Sequence, residues 1–353
     1  MSRPVSIAVD VVGGDFAPEV VLDGIRLVLS QDESVVLHAV GPQAVVTPFF
    51  ESLNPQDAQR IVPVYAEEII EMGEHPAQAV RTKKDASIVV GSRLVKEGVC
   101  DGFYSAGSTG ACMAAATLIV GRIKGVSRPG LATVLPSGKK TPTILLDVGA
   151  NADCKPQNLM QFALMGQAYA ESVFDCVHPT VGLLNIGEEE AKGSVLAQES
   201  YQLMKENVEN FVGNVEGRDV LAGKVDVIVT DGFTGNVTLK LLEGTTSMLL
   251  KKIKAALMSS IVTKLCALPL MGPIKGLRDE LDPDKFGGAP LLGVKGVCAI
   301  GHGSSNAKAI ASGVLITAKA ARNDMAAKMA ERFAVLSQKQ EVETKLLEGN
   351  NHE

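Results

Sequence analysis

The chain has 353 residues, 34 Lys+Arg against 40 Asp+Glu for a formal net charge of −6, and no tryptophan. An acidic balance offers no basic face to neutralise phosphates, which excludes a global nucleic-acid footprint; aromatics at 4% leave too few rings for a base- or sugar-stacking surface. The length buries a core without metal or disulfide staples and suits one large α/β domain or two ordinary ones.

Taken in chain order, one pattern recurs: a short apolar run, a cluster of Gly, Asp, Ser or Asn, then a helical stretch. SIAVD-VVGGD (residues 6–15) comes first, and its Asp10 arrives too early for the apolar region of a signal peptide. The chain is therefore expected to stay in the cytoplasm. GFYS-AGSTG follows at 102–110. The uncharged span from Gly102 to Gly121 has the length of a membrane crossing, but its Gly, Ser and Thr predict a strand, a polar turn and a buried helix from about Thr109. GVSRPG and LPSGKKTP mark turn-rich breaks and a candidate subdivision near 125–140.

TILLD-VGAN (143–151) leads to a helix over Gln157–Ser172, and VGLLN-IGEEEAKGS (181–194) to a second over Val195–Asn207. VDVIVTD-GFTGN (225–236) and GVCAI-GHGSS (296–305) complete the series. Unalternated Val/Ile/Leu runs mark strands covered on both faces, so the expected fold is α/β, a mostly parallel sheet sandwiched by helices. Residues 1–330 read as one catalytic domain and 331–353 as a helical tail fraying into solvent.

Residues 244–281 read as an amphipathic helical hairpin. Leu250, Ile253, Leu257, Ile261 and Leu265 trace one helical stripe. Lys251, Lys252, Lys254, Lys264, Lys275 and Arg278 occur from Gly244 to Arg278 without an acidic residue. Leu268, Leu270, Met271 and Ile274 form the tip and, with Lys264, are the candidate membrane contacts. Packing against a second copy and docking of an acidic protein on the lysines are the competing readings.

Familiar nucleotide and hydrolase fingerprints are absent. No G-x-G-x-x-G opens a helix, SGKKT lacks the upstream glycine of a Walker loop, and GSTG is no nucleophile elbow. The six cysteines have no CxxC pair and no histidine at ligand spacing, so they read as reduced thiols, with neither zinc nor another metal expected. What remains are strand-end turns rich in backbone donors. Ser108-Thr109-Gly110 and Gly303-Ser304-Ser305 each precede a predicted helix, where N–H groups and the helix dipole favour an anion or simply cap the helix. His302, Lys192 and Lys240 at similar positions favour the anion site. Asp10, Asp15, Asp147 and Asp231 also stand at strand ends, where a carboxylate is commonly a cap.

These motifs resemble a known family. IAVDVVGGDFAP, SAGSTGA, LLDVGAN, GLLNIGEEEAKGS, DVIVTDGFTGNVTLK and FGGAPLLGVKG…GHGSS occur in the order found in the PlsX family of bacterial phosphate acyltransferases, from Ile7 to Ala321. Two departures stand out. The family reads AMGGDHAP where this chain has Val11-Val12 and Phe16, so no histidine role carries over there. It also reads SAGNTGA where this chain has Ser108.

The resemblance implies attack of inorganic phosphate on the thioester of a long-chain acyl carrier protein, giving acyl-phosphate and free carrier protein without a cofactor. It further implies a homodimer and a fold similar to phosphotransacetylases and isopropylmalate-type dehydrogenases; contact with the inner face of the membrane is expected from the hairpin's own pattern. A downstream glycerol-3-phosphate acyltransferase would be the functional partner. On this reading Thr109, Gly110, Gly303 and Ser304 hold phosphate, with Ser108, Asp231, Asp10, Gly13, Gly14 and Asp15 as further substrate-binding positions. Lys192 and Asn236 polarise the thioester carbonyl or steady the phosphate. His302 donates to the oxyanion or leaving thiolate, or is a structural turn residue. Lys240 shares a helix face with Asn236, or is a surface ion-pair lysine. Transfer without an acyl-enzyme is expected. Acyl-CoA as donor, a dehydrogenase of the related fold and a membrane scaffold are the alternatives.

Overall fold

The structure is a computed structural model that describes residues 3–350 except 140, 261, 262, 265, 266, 268, 270, 281 and 282. Its strands are β1 (Val5–Asp10), β2 (Val35–Gly41), β3 (Ile61–Tyr65), β4 (Gly102–Ser105), β5 (Gly130–Leu135) and β6 (Thr143–Leu146), followed by β7 (Val181–Asn185), β8 (Phe211–Glu216), β9 (Val227–Val229), β10 (Ala289–Leu292) and β11 (Val297–Ile300). They form one sheet in the order β3-β2-β1-β4-β11-β10-β5-β6-β9-β7-β8.

The helices are α1 (Glu19–Gln31), α2 (Gln43–Glu51), α3 (Pro55–Ala58), α4 (Pro76–Thr82), α5 (Ser87–Lys96) and α6 (Thr109–Ala115). After them come α7 (Pro156–Phe174), α8 (Val195–Asn207), α9 (Gly232–Leu257), α10 (Met271–Glu280), α11 (Ala307–Arg322) and α12 (Met325–Asn350). Side chains alternate across the pleat: Ile7 and Val9 of β1 join the core shared with α1, α7 and α11, while Ala8 joins the opposite core with α4, α5 and α6. The mostly parallel sheet between helices is the expected architecture.

Sheet polarity is the feature that positions the site. β3, β2, β1, β4 and β11 run parallel to one another. β10 is antiparallel to β11 and to β5, and β5 is antiparallel to β6. Three reversals leave β6, β9, β7 and β8, which are mutually parallel, running opposite to the first group. Strand carboxyl ends, where ligands collect in such sheets, therefore lie on opposite edges of the two halves.

Two helices differ from expectation or extend it. The tail does not fray from Glu331: α12 continues to Asn350 and buries Met325, Met329, Phe333 and Leu336 in the core shared with α7. That i, i+4, i+8, i+11 spacing lies within charged sequence, which masked it. The first helix of the 244–281 hairpin starts earlier, at Gly232, and its 26 residues span about 39 Å. Only Gly232 and Gly235 of α9 are fully buried, so most of the helix stands off the body. α10 follows. Leu268 and Leu270 lie outside the described residues, as does the side chain of Met271; Lys264 is exposed and Ile274 half-buried.

Candidate active site

At the first edge, three strand-end loops interlock around Asp10. Its carboxylate, 2% exposed, accepts bonds from the Ser105 hydroxyl at 2.7 Å and the Val12 N–H at 3.2 Å. Burial pushes the Asp10 carboxyl up, opposed by these donors and by Ser87 and the Gly13 N–H. Ser105 Oγ in turn accepts from the Gly107 N–H at 3.0 Å. Gly13 wedges between them: a Cβ there would lie 2.6 Å from Asp10 Oδ2 and 2.8 Å from Gly107 N. The Asp15 N–H donates to the Gly303 carbonyl at 2.7 Å, tying in the loop after β11. Gly14, at φ +114°, approaches that same carbonyl.

Several proposed anion ligands already have local tasks. Ser108 Oγ accepts from the Ala111 N–H and caps α6. Gly110 is where α6 passes Pro76, and a Cβ at that position would lie 2.7 Å from the proline ring. Gly303-Ser304-Ser305 does not lead directly into a helix: Asn306, which sequence reasoning missed, caps α11 by accepting from the N–H groups of Lys308 and Ala309. The Ser304 hydroxyl bonds His302 Nδ1 at 2.7 Å, and the Ser304 N–H points to the same nitrogen at 3.2 Å. A backbone N–H can only donate, so Nδ1 is the acceptor and the neutral ring carries its proton on Nε2. His302 is thus set as a donor. Thr109 is exposed at the start of α6.

Above this floor opens a cleft of about 220 Å³. Asp10, Gly13, Gly14, Asp15, Gly107 and Ser108 line one side, and Ile69, Ile70, Glu71 and Met72 the other. The second wall and the Ser87 hydroxyl gave no sequence signal, because both come from segments remote from any strand-end motif.

At the second edge, Asp147 is wholly buried and accepts from the N–H groups of Leu131, Gly149, Ala150 and Asn151 and from Asn151 Nδ2, at 2.7–3.2 Å. Burial pushes its carboxyl up against those donors. The loop it organises receives the start of α9: the Gly232 N–H donates to the Asn151 carbonyl at 2.8 Å, and a Cβ at Gly235 would collide with the Asp147 carbonyl oxygen. Asp231 caps α9, accepting from the N–H and hydroxyl of Thr234, each at 2.8 Å. Asn236 then lies beside Gly149, its Cγ 3.7 Å from where a Cβ would be.

Lys192 is exposed on the loop after β7, which the Asn185 side chain closes by donating to the Lys192 carbonyl at 3.0 Å. Lys240 pairs with Glu243 on its own helix at 2.8 Å. Within one chain, then, Lys192, Asp231, Asn236 and Lys240 share one edge. Asp10, Gly13, Gly14, Asp15, Ser108, Thr109, Gly110, His302, Gly303 and Ser304 share the other.

The described thiols are unsuited to attack. Burial pushes Cys112 and Cys298 up to about 12 and Cys154 up to about 11, so each is a protonated thiol at neutral pH.

Interlocked strand-end loops on a sheet of divided polarity give this α/β chain a fold it shares with phosphotransacylases. A phosphotransacetylase from Streptococcus pyogenes superposes with a TM-score of 0.61 at 18% identity, covering 90% of this chain and 94% of that one. A branched-chain phosphotransacylase from Enterococcus faecalis V583 gives 0.55 at 13% identity, with 90% and 99% covered. The sequence places it more closely. Residues 5–328 match the family described as "Fatty acid synthesis protein". A phosphate acyltransferase of Clostridium perfringens (strain SM101 / Type A) is 46% identical over 329 residues, 93% of this chain and 96% of that one. One from Dictyoglomus turgidum is 44% identical over 347 residues, with 98% and 97% covered. The chain belongs to the PlsX family of phosphate acyltransferases and is an acyltransferase of fatty-acid and phospholipid synthesis.

Proposed function

We propose that this enzyme transfers a long-chain acyl group from the thioester of acyl carrier protein to inorganic phosphate. A phosphate oxygen attacks the thioester carbonyl carbon, the C–S bond breaks, and the leaving thiolate takes a proton to give the free carrier thiol and acyl-phosphate. The observation that carries this reading is family membership joined to the absence, among the described residues, of an activated thiol: the acyl group goes directly to phosphate. Phosphate is already anionic at neutral pH and a thiolate leaves readily, so positioning and oxyanion stabilisation supply the rate. Lys192 and Asn236 are the groups for that role, with His302 Nε2–H as donor to the leaving sulfur. The test is phosphate-dependent release of free thiol from acyl carrier protein, with acyl-CoA as comparator. Lys192→Ala and Asn236→Ala should each lower kcat by roughly 100- to 1000-fold, the usual cost of one oxyanion donor, with the fold retained. Near wild-type turnover in both would refute the assignment.

The working unit in this proposal is a homodimer. Its support is the division of the site residues between two edges, together with Phe233, Val237 and Leu241 on α9. These flank Asn236 at i, i+4, i+8 spacing and are 67%, 54% and 67% exposed. A second copy turned by a two-fold axis covers them and brings one chain's Lys192 edge to the other's Asp10 edge.

Peripheral membrane contact through the hairpin belongs to the same proposal. Lys251, Lys252, Lys254, Lys264 and Lys275 are all exposed, and no helix among the described residues is long and apolar enough to cross a membrane. An amphiphilic acyl-phosphate is best released at a bilayer, to a glycerol-3-phosphate acyltransferase that consumes it. Leu270→Glu/Met271→Glu should abolish co-sedimentation with anionic vesicles while leaving the dimer intact; loss of the dimer instead would assign the hairpin to subunit packing.

A further inference from the structure

The cleft at the first edge has a chemistry that separates the three parts of the substrates named above, and the inference rests on that reaction. Its lining holds three carboxylate residues, Asp10, Asp15 and Glu71, and no lysine, arginine or histidine. A phosphate carrying one to two negative charges meets only like charge there. Around Glu71, the second wall carries the apolar side chains of Ile69, Ile70 and Met72, with Val12 and Ile88 adding apolar surface elsewhere, so the lining mixes acceptors with apolar groups. A long acyl chain has no hydrogen to give those acceptors and would leave them desolvated without partners.

We propose that this cleft holds the neutral, amide-bearing pantetheine arm that carries the thioester, and that phosphate is held elsewhere, by the Lys192 and Asn236 edge. The arm's amide N–H and hydroxyl groups are donors that suit the exposed carboxylates of Asp15 and Glu71, Asp10 being already satisfied by its own donors. Its methylene and gem-dimethyl segments suit the Ile69–Met72 wall. A volume of about 220 Å³ takes a narrow linear segment rather than a whole drug-sized ligand.

The wall is already set for this task. Lys83 Nζ donates to the Ile69 carbonyl at 2.7 Å and pairs with Glu74 at 2.6 Å, and the Glu71 N–H donates to the same Glu74 oxygen at 2.7 Å. Both ends of the strip that faces the floor are thereby tied. Phe16, 57% exposed on the loop that bears Asp15, adds apolar surface to that loop where the family has histidine, and Met72 is 56% exposed on the opposite wall.

The experiment measures pantetheine binding and steady-state constants for wild type, Glu71→Lys and Met72→Glu, all at exposed positions, with circular dichroism to confirm the fold. Each variant should weaken pantetheine binding and raise KM for the acyl thioester at least tenfold, with KM for phosphate unchanged within twofold. The added lysine gives a sign test: if Glu71→Lys lowers KM for phosphate and leaves the thioester unaffected, phosphate occupies the cleft and the proposal is overturned. Competition by octanoate, but not by pantetheine, would assign the cleft to the acyl chain and overturn it equally. Absence of phosphate-dependent thiol release in wild type, with pantetheine still bound and displaced by the variants, would instead reject the reaction while leaving the subsite standing.

Discussion

At the scale of single residues, the two buried aspartates organise rather than react. Asp147 collects five N–H donors in a fully buried turn. Asp147→Ala would strand several of them, and a buried donor without a partner costs about 1–3 kcal/mol; the expected loss in chemical denaturation is at least about 4 kcal/mol, among the largest for a point change. Gly235→Ala acts on the same junction from the other side, pushing α9 off the Asp147 carbonyl, and should reduce turnover by displacing Asn236 more than it reduces stability. At the cysteines the expected outcome is negative: incubation with acyl donor in the absence of phosphate should leave the intact mass unchanged. Asp10 and Asp147 were visible in the sequence as strand-end carboxylates, but their partners were not. Ser87 reaches Asp10 from a helix 77 positions along the chain, and no local spacing encodes such a contact.

Among the elements, those with a continuous apolar run were legible: β1, β4, β6, β7, β9 and β11 stand where the strand motifs predicted, and α8 has the expected bounds. Those stabilised by tertiary context were not. β10 and β5 contain or adjoin glycine and proline and become strands through antiparallel pairing with each other, across distant sequence, as well as with β11 and β6. α12 is the instructive case, since its charged surface reads as a fraying tail. Phe333, 1% exposed, makes the opposite prediction: Phe333→Ala should cost about 3–5 kcal/mol, where a solvated tail would cost nothing.

Acid will test the base of β9. Burial would raise the Asp226 carboxyl, but the Thr180 hydroxyl and N–H, at 2.7 and 2.9 Å, and Lys139 outweigh it and hold the group below its ordinary 3.8. A depressed carboxyl contributes stability above its unfolded value, lost as pH falls through the folded one. Asp226→Asn should therefore be less stable than wild type at pH 7, and the gap should close as the pH falls below about 4.

For the whole molecule, the reversals at β10 and β5 put the candidate site residues on two opposite edges of the sheet. Edge membership was hidden in the sequence because every strand-end motif looks alike; only pairing direction tells which motifs can meet. If the two edges meet across a two-fold axis, Lys192→Ala and Gly13→Ala chains should complement each other. Co-expressed, they should recover about a quarter of wild-type activity, since half the dimers would carry one intact site of two. No recovery would place the whole site within a single chain. The same reversals have a consequence for enzymology at low concentration. In a dimer whose site is split between chains, specific activity should decline on dilution below its dissociation constant, with an initial rate that falls during the assay as preformed dimers separate into inactive halves.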